Sequence, residues 1–252
     1  MKVVAAGDIS PEGIGTQKAT SDLAIRLSPQ AVLALGDNQY PSGNLVDYAA
    51  YFAPTWGRLN GITWPSPGNH DPCGPSGYDE YFGIGCFRSF RLGEWQVIQL
   101  DSNRSMAKDS RQWTFVKNTL EANPTTCTLA YWHEPRWSSG AEHGSSSKSA
   151  AMWSLLFRHR ADVVLGGHDH LYERFAKKRP DGSRASNGIR QFVSGLGGKS
   201  RYSFGRTVQG SQVRYNGGFG VLELTLGQGM YSWRFVTTRD VVVDQGSAGC
   251  VS

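Results

Sequence analysis

A chain of 252 residues, 39% of them hydrophobic, is long enough to bury a sizeable core, and the alternation of its elements reads residues 1–252 as one domain. The formal net charge of +5 suits an anionic substrate, yet the basic residues are scattered except for Lys177-Lys178-Arg179, a run that reads as a solvated face; nucleic acid is not expected except as a substrate. No stretch approaches the apolar length of a membrane span, which argues against a membrane partner, and Met1-Lys2 leads straight into an apolar run with no signal peptide.

Val3-Val4-Ala5-Ala6 is a short apolar run that stops on Gly7-Asp8, and Ala31 to Leu35 is a second that stops on Gly36-Asp37. Both read as strands buried on two faces. Between them Lys18 to Leu27 places Ala19, Leu23, Ala24 and Leu27 at helical spacing. A strand, a crossover helix and a parallel strand bring both carboxylates to the carboxyl edge of one sheet, where open α/β sheets bind ligands.

After Tyr40, Asn44 or Ser42 can cap a helix carrying Leu45, Val46, Tyr48, Ala49 and Phe52, which Pro54 ends. Residues 62–67 form an apolar passage broken by Pro65 and Pro67 that runs into Gly68-Asn69-His70-Asp71. Phe87 to Phe90 and Trp95 to Leu100 flank a Gly93-Glu94 turn as a hairpin, and Ser110 to Leu120 is helical. The strand Cys127 to Trp132 delivers His133-Glu134, and the Ser/Gly-rich loop Ser138 to Ser147 carries His143. A helix through Met152, Leu155 and Phe157 follows, then a strand Ala161 to Leu165 that ends in Gly166-Gly167-His168-Asp169-His170. From Leu171 onward only strands are expected, including an alternating pair, Val221 to Leu226 and Tyr231 to Val236. The α/β first part and antiparallel remainder predict two sheets packed face to face with helices outside.

Four cysteines with no C-x-x-C spacing read as two disulfides, with Cys73–Cys86 across a Gly/Pro-rich loop and Cys127–Cys250 pinning the C-terminal end as the preferred pairing. That places the protein in an oxidising compartment, secreted or periplasmic, with Met1 following a removed leader. The other reading is four reduced, buried cysteines in a cytosolic protein.

Five apolar segments thus end in Asp8, Asp37, Asn69-His70, His133 and His168-x-His170, each at a glycine or a turn. Carboxylates, an amide oxygen and imidazoles together suit first-row metals, and they exceed what one tetrahedral ion can use. Two ions roughly 3.5 to 4 Å apart need a bridging carboxylate, for which Asp37 is the best candidate.

These blocks occur in the order and approximate spacing of the calcineurin-like metallophosphoesterases, which the chain resembles from Asp8 to Arg174. Gly36-Asp37-Asn38-Gln39-Tyr40 and His168-Asp169-His170-Leu171-Tyr172-Glu173-Arg174 look like the purple acid phosphatase branch. The resemblance implies a mixed α/β fold, a four-layer α/β/β/α sandwich of two mixed sheets, with a dinuclear centre. It implies Asp8, Asp37, Tyr40 and His170 around the first metal and Asp37, Asn69, His133 and His168 around the second. Many superfamily members have a histidine where this chain has Ser10, and the purple branch uses the tyrosine of its second block instead. Fe(III) is therefore expected beside Tyr40, with Fe(II), Zn(II) or Mn(II) in the second position.

Two cations would neutralise phosphoryl oxygens and supply hydroxide for in-line attack on phosphorus. His70 would face the leaving oxygen and His143 would be a second donor to the substrate. Asp71, Asp169 and Glu134 are expected to orient imidazoles or cap turns. The leading expectation is a phosphomonoesterase acting on small phosphate esters; a phosphodiesterase acting on cyclic nucleotides, nucleic acid or phospholipid head groups, and a non-catalytic phosphate-binding relative, are the alternatives.

Overall fold

Short runs of Val, Ala and Leu have no polar face to turn to water, so they pair on both edges and lie under cover on both faces. In the computed structural model, which describes residues 1–75, 77–122 and 124–251, these runs are the central strands. In chain order the elements are β1 (Lys2–Ala6), α1 (Thr16–Arg26), β2 (Ala31–Leu35), α2 (Leu45–Asp47), β3 (Thr63–Ser66), α3 (Gly77–Phe82), β4 (Arg88–Leu92), β5 (Trp95–Gln99), α4 (Arg111–Ala122), β6 (Cys127–Tyr131), α5 (Ala150–Arg158) and β7 (Val163–Gly166). They continue with β8 (Tyr172–Phe175), β9 (Arg190–Ser194), β10 (Ser211–Tyr215), β11 (Gly220–Gly227), β12 (Met230–Thr237) and β13 (Val242–Gly249). Among the described residues no helix is long and apolar enough to cross a membrane.

Two mixed sheets result, in the orders β13-β12-β11-β1-β2-β3 and β10-β8-β9-β7-β6-β5-β4. Side chains alternate across each strand. Val3, Ala5, Leu33 and Leu222 of the first sheet therefore meet Val97, Leu129, Leu165 and Phe192 of the second in one shared core. Their neighbours Val4, Ala6, Val32 and Ala34 face outward and are covered by Leu23, Ala24, Tyr48 and Phe52. On the far side Ile98, Ala130 and Val164 lie under Trp113, Val116, Met152 and Leu156 of α4 and α5. The layers are α/β/β/α, as expected.

What positions the site is strand direction. β1, β2 and β3 run parallel, as do β5, β6 and β7, so the chain segments leaving β1, β2, β3, β6 and β7 open on one rim. Pro65 fits this scheme because β3 is an edge strand and needs no donor on its outer side.

Three expectations change. Asn44 does cap α2, its side chain accepting the Asp47 amide at 2.9 Å, but the helix lasts one turn before the backbone widens into a π-helical turn over Tyr48–Phe52. The wider turn rotates the apolar face, so Tyr48 and Phe52 are buried whereas Leu45 and Val46 are exposed. β11 alternates only toward its end: Leu222, Leu224 and Leu226 face the shared core and Thr225 is exposed, but Val221 is buried on the outer face with Leu23 and Ala24 of α1. Lys178 is not solvated. It is 1% exposed, its ammonium 3.9 Å from the Trp137 ring centre and donating to the Gln209 carbonyl at 2.7 Å. The expectation of strands only after Leu171 holds: the elements there among the described residues are β8 to β13.

Both preferred disulfides are present, Cys73–Cys86 and Cys127–Cys250, with Cα–Cα separations of 5.4 and 5.6 Å. The second closes a loop of 123 residues, for which the chain-entropy model gives about 5 kcal/mol of stabilisation.

Candidate metal centre

Three strand ends place their polar residue by the same device. Asp8 and Asp37 lie two residues beyond β1 and β2, and His168 two beyond β7; all three take positive φ, at 58°, 49° and 69°. Non-glycine residues held in that region cost on the order of 1–3 kcal/mol each and persist only where the surroundings fix them. Here those surroundings include the His168 amide donating to Asp8 Oδ2 at 2.8 Å and the His70 amide donating to Asp37 Oδ1 at 2.9 Å. Gly36 has no room for a side chain, because a Cβ there would lie 2.6 Å from the His133 ring.

The seven residues expected around the metals converge. The Tyr40 hydroxyl is 3.1 Å from Asp8 Oδ1, 2.8 Å from Asp37 Oδ2 and 3.2 Å from His170 Nε2, while His170 Nε2 is 3.3 Å from Asp8 Oδ1. On the other side His133 Nε2 is 3.3 Å from Asp37 Oδ2, 3.2 Å from Asn69 Oδ1 and 3.2 Å from His168 Nδ1. Two groups of donor atoms therefore meet at the Asp37 carboxylate, and Asp37, His133 and His168 together have the spacing of a metal-binding triad. The other nitrogen of each deeply placed imidazole is already engaged: His133 Nδ1 with the Leu35 carbonyl at 2.8 Å, His170 Nδ1 with Ser200 Oγ at 2.6 Å. These contacts fix the ring orientations and leave Nε2 facing the cluster.

The electrostatics describe a site short of positive charge. Burial penalises the Asp37 carboxylate, but the neighbouring His133 outweighs it and holds the group below its usual range. Burial likewise works against a charged His133, and the charges of Asp37 and Asp8 push it up to about 10. Burial and the nearby His133 and His143 lower His168 to about 2. Burial and the two carboxylates keep the Tyr40 phenol protonated and donating. A proton on His133 thus occupies the place of positive charge, and oxygen and nitrogen donors with no lysine or arginine among them fit bound cations.

The flanking residues divide. His70 donates from Nδ1 to the Pro41 carbonyl at 2.6 Å, with Nε2 4.0 Å from Asp37 Oδ2. His143 is exposed at the mouth, its ring stacked 3.9 Å from that of His168. Asp71 caps a turn: it accepts the amides of Asn38 and Gly68, both at 2.8 Å, and the Tyr48 hydroxyl at 2.6 Å, while burial and Asp37 push it up to about 6. Glu134 pairs with Lys148 at 2.7 Å, and among the described residues no hydrogen bond joins Asp71, Asp169 or Glu134 to an imidazole. Sequence reasoning missed Ser200 and Tyr202, whose ring stacks on His170 at 3.9 Å. The only signal was the glycine cluster Gly195-Leu196-Gly197-Gly198, in which Gly195 lies too close to Asp8 Oδ2 for any side chain.

Comparison with known proteins places this geometry. The family model described as calcineurin-like phosphoesterase matches residues 1–172. Among curated proteins the chain is 29% identical over 102 residues to probable purple acid phosphatase 20 of Arabidopsis thaliana, covering 38% of this chain and 24% of that one. It is 30% identical over 93 residues to purple acid phosphatase 15 of the same plant, covering 35% and 18%. The chain thus matches about a quarter or less of the length of these relatives. Among solved structures, purple acid phosphatase PPD1 from yellow lupin (Lupinus luteus) superposes with a TM-score of 0.83 at 15% identity, over 99% of this chain and 53% of that one; at this identity the likeness is one of fold. With more than half of its length matched by the family model, the chain belongs to the calcineurin-like phosphoesterase family.

Proposed function

We propose that the chain is a metal-dependent phosphomonoesterase of the purple acid phosphatase type, acting on small phosphate esters, with residues 1–252 as one domain built on the core shared by its two sheets. The observation that carries this reading is the convergence of Asp8, Asp37, Tyr40, Asn69, His133, His168 and His170 from five segments of chain. In this reading Asp8, Asp37, Tyr40 and His170 hold the first ion and Asp37, Asn69, His133 and His168 the second, with Fe(III) beside Tyr40 and Fe(II), Zn(II) or Mn(II) opposite.

Two such ions, when bound, would supply Lewis acidity toward phosphoryl oxygens and toward a water for in-line displacement at phosphorus. The chain's own side chains do the rest. Asp37 keeps its carboxylate between the two donor groups, and Asp8, Asp37 and His170 hold the Tyr40 hydroxyl where it would serve a bound cation as a ligand. His70, its Nδ1 committed to Pro41, presents Nε2 to the leaving oxygen and donates a proton or hydrogen bond to it. His143, at the mouth, is a second donor to the substrate. The two disulfides fit a secreted or periplasmic location.

The test is hydrolysis of p-nitrophenyl phosphate against bis(p-nitrophenyl) phosphate, read together with a visible spectrum. Faster hydrolysis of the monoester and a tyrosinate-to-iron absorption that vanishes in Tyr40→Phe are expected. A diester preference would favour the phosphodiesterase reading, and a colourless active protein would remove iron from the first position.

A further inference from the structure

Within the loop between β6 and α5, residues 138–147 are rich in serine and glycine and have no apolar residue but the exposed Ala141 with which to pack themselves down. Two buried carboxylates hold it nonetheless, and both come from the segment that carries the site's last histidines. Asp169, between His168 and His170 and wholly buried, accepts the Ser138 hydroxyl, the His143 amide at 3.3 Å and the Gly144 amide at 3.1 Å. Gly140 packs against the same carboxylate so closely that a Cβ would overlap it. Glu173, also wholly buried, accepts the Ser139 amide at 2.7 Å and its hydroxyl at 2.6 Å. Neither acid has a lysine or arginine partner among the described residues, so these loop groups are what replaces water around the two charges. The outcome of this anchoring is one exposed imidazole, His143, stacked on His168 at an interplanar angle of 22°.

We propose that Asp169 and Glu173 are positioning residues that clasp residues 138–144 to the strand end bearing His168 and His170, so that His143 is preset to bind a phosphoryl oxygen. The inference rests on the phosphoesterase reading for what His143 binds, but not for the clasp itself. In the alternating run His168 to Glu173, the histidines serve the metals while Asp169 and Glu173 serve the loop. The metal-binding and substrate-binding halves of the site are thereby built on the same few residues of backbone.

The experiment uses the full, metal-loaded chain in four forms: wild type, Asp169→Asn, His143→Ala and the double variant. Metal content, inorganic phosphate affinity by calorimetry, kcat and KM with p-nitrophenyl phosphate, and amide hydrogen exchange over residues 138–145 are measured. Asp169→Asn is expected to retain the wild-type metal content, weaken phosphate binding and lower kcat/KM by about tenfold, the worth of one hydrogen bond to a charged group, and speed exchange in the loop. In the His143→Ala background the same change should alter kcat/KM by less than about twofold, because the residue through which it acts is gone. Should Asp169→Asn not fold, Ser138→Ala and Glu173→Gln remove partners of the same clasp and are expected to speed loop exchange in the same way. The proposal is overturned by full additivity of the two changes, by unaltered loop exchange, or by loss of metal in Asp169→Asn. The exchange measurement needs no activity, so an inactive, metal-free wild type would refute the phosphoesterase reading while the clasp is still judged.

Discussion

Two buried carboxylates in this molecule are treated in opposite ways. Asp244, on β13, is surrounded by donors the chain supplies: Arg174 Nε at 2.7 Å and Nη2 at 3.1 Å, the Tyr172 hydroxyl at 2.6 Å and Trp233 Nε1 at 3.1 Å. Its charge is cancelled by a fixed guanidinium and the cluster is closed. Asp37 is equally buried, but its neighbours are another carboxylate, a phenol and imidazoles, and no lysine or arginine pairs with it or with Asp8 among the described residues. The first arrangement belongs to folding and the second to binding: a rim of acceptors turned toward one another is stable when a cation from outside supplies what Arg174 supplies elsewhere.

The sharpest way to break this contrast is to remove the shared carboxylate. Asp37→Asn is expected to lose both metals and to lower kcat/KM by about a thousandfold or more, measured by elemental analysis and steady-state kinetics. Arg174→Met leaves Asp244 buried and uncompensated and should cost about 3–5 kcal/mol in a denaturant titration. That loss should be the same with and without a chelator, whereas chelation should lower the melting temperature of the wild type, since metal binds the folded rim.

A smaller effect separates chemistry from binding within the rim. His70→Ala should slow hydrolysis of a phosphate ester with a poor leaving group by about a hundredfold, and leave p-nitrophenyl phosphate nearly unaffected, because only the former needs a proton at the leaving oxygen. A third buried acid sharpens the comparison by titration. Burial raises Asp162 from 3.8 to about 6, against the lowering effect of the Thr128 and Val251 amides that donate to it. The folded state then binds this proton more tightly than the unfolded one. The contribution of Asp162 to stability is largest below about pH 4, falls by up to about 3 kcal/mol as pH rises to 6, and is level above that. Asp162→Asn should remove this slope from the pH dependence of the denaturation midpoint.

Much of the rim was legible because a parallel strand announces its own end. An apolar run that stops on glycine and then a polar residue marks the carboxyl edge, and five such stops in one chain predict a meeting point that the fold supplies. The helix after Tyr40 was misjudged for a local reason: the π-helical turn at Tyr48 shifts the face that Leu45 and Val46 would have shared. Lys178 was misread because the aromatic ring that receives its ammonium, Trp137, comes from a distant loop and leaves no trace in the neighbouring sequence. The same holds for Ser200 and Tyr202. Their loop has no periodicity, and their contacts with His170 exist only once β9 has been threaded beside β7. Asp169 was expected to orient an imidazole or cap a turn, and it is the backbone of the His143 loop that it holds, because successive residues leaving a strand point to opposite sides.

The most direct measurement is the metal stoichiometry of the purified chain after saturation and removal of excess ions, set beside that of Asp37→Asn. The account predicts two equivalents per chain in the wild type and loss of both in the variant. One equivalent in the wild type, or an unchanged content in Asp37→Asn, would contradict it.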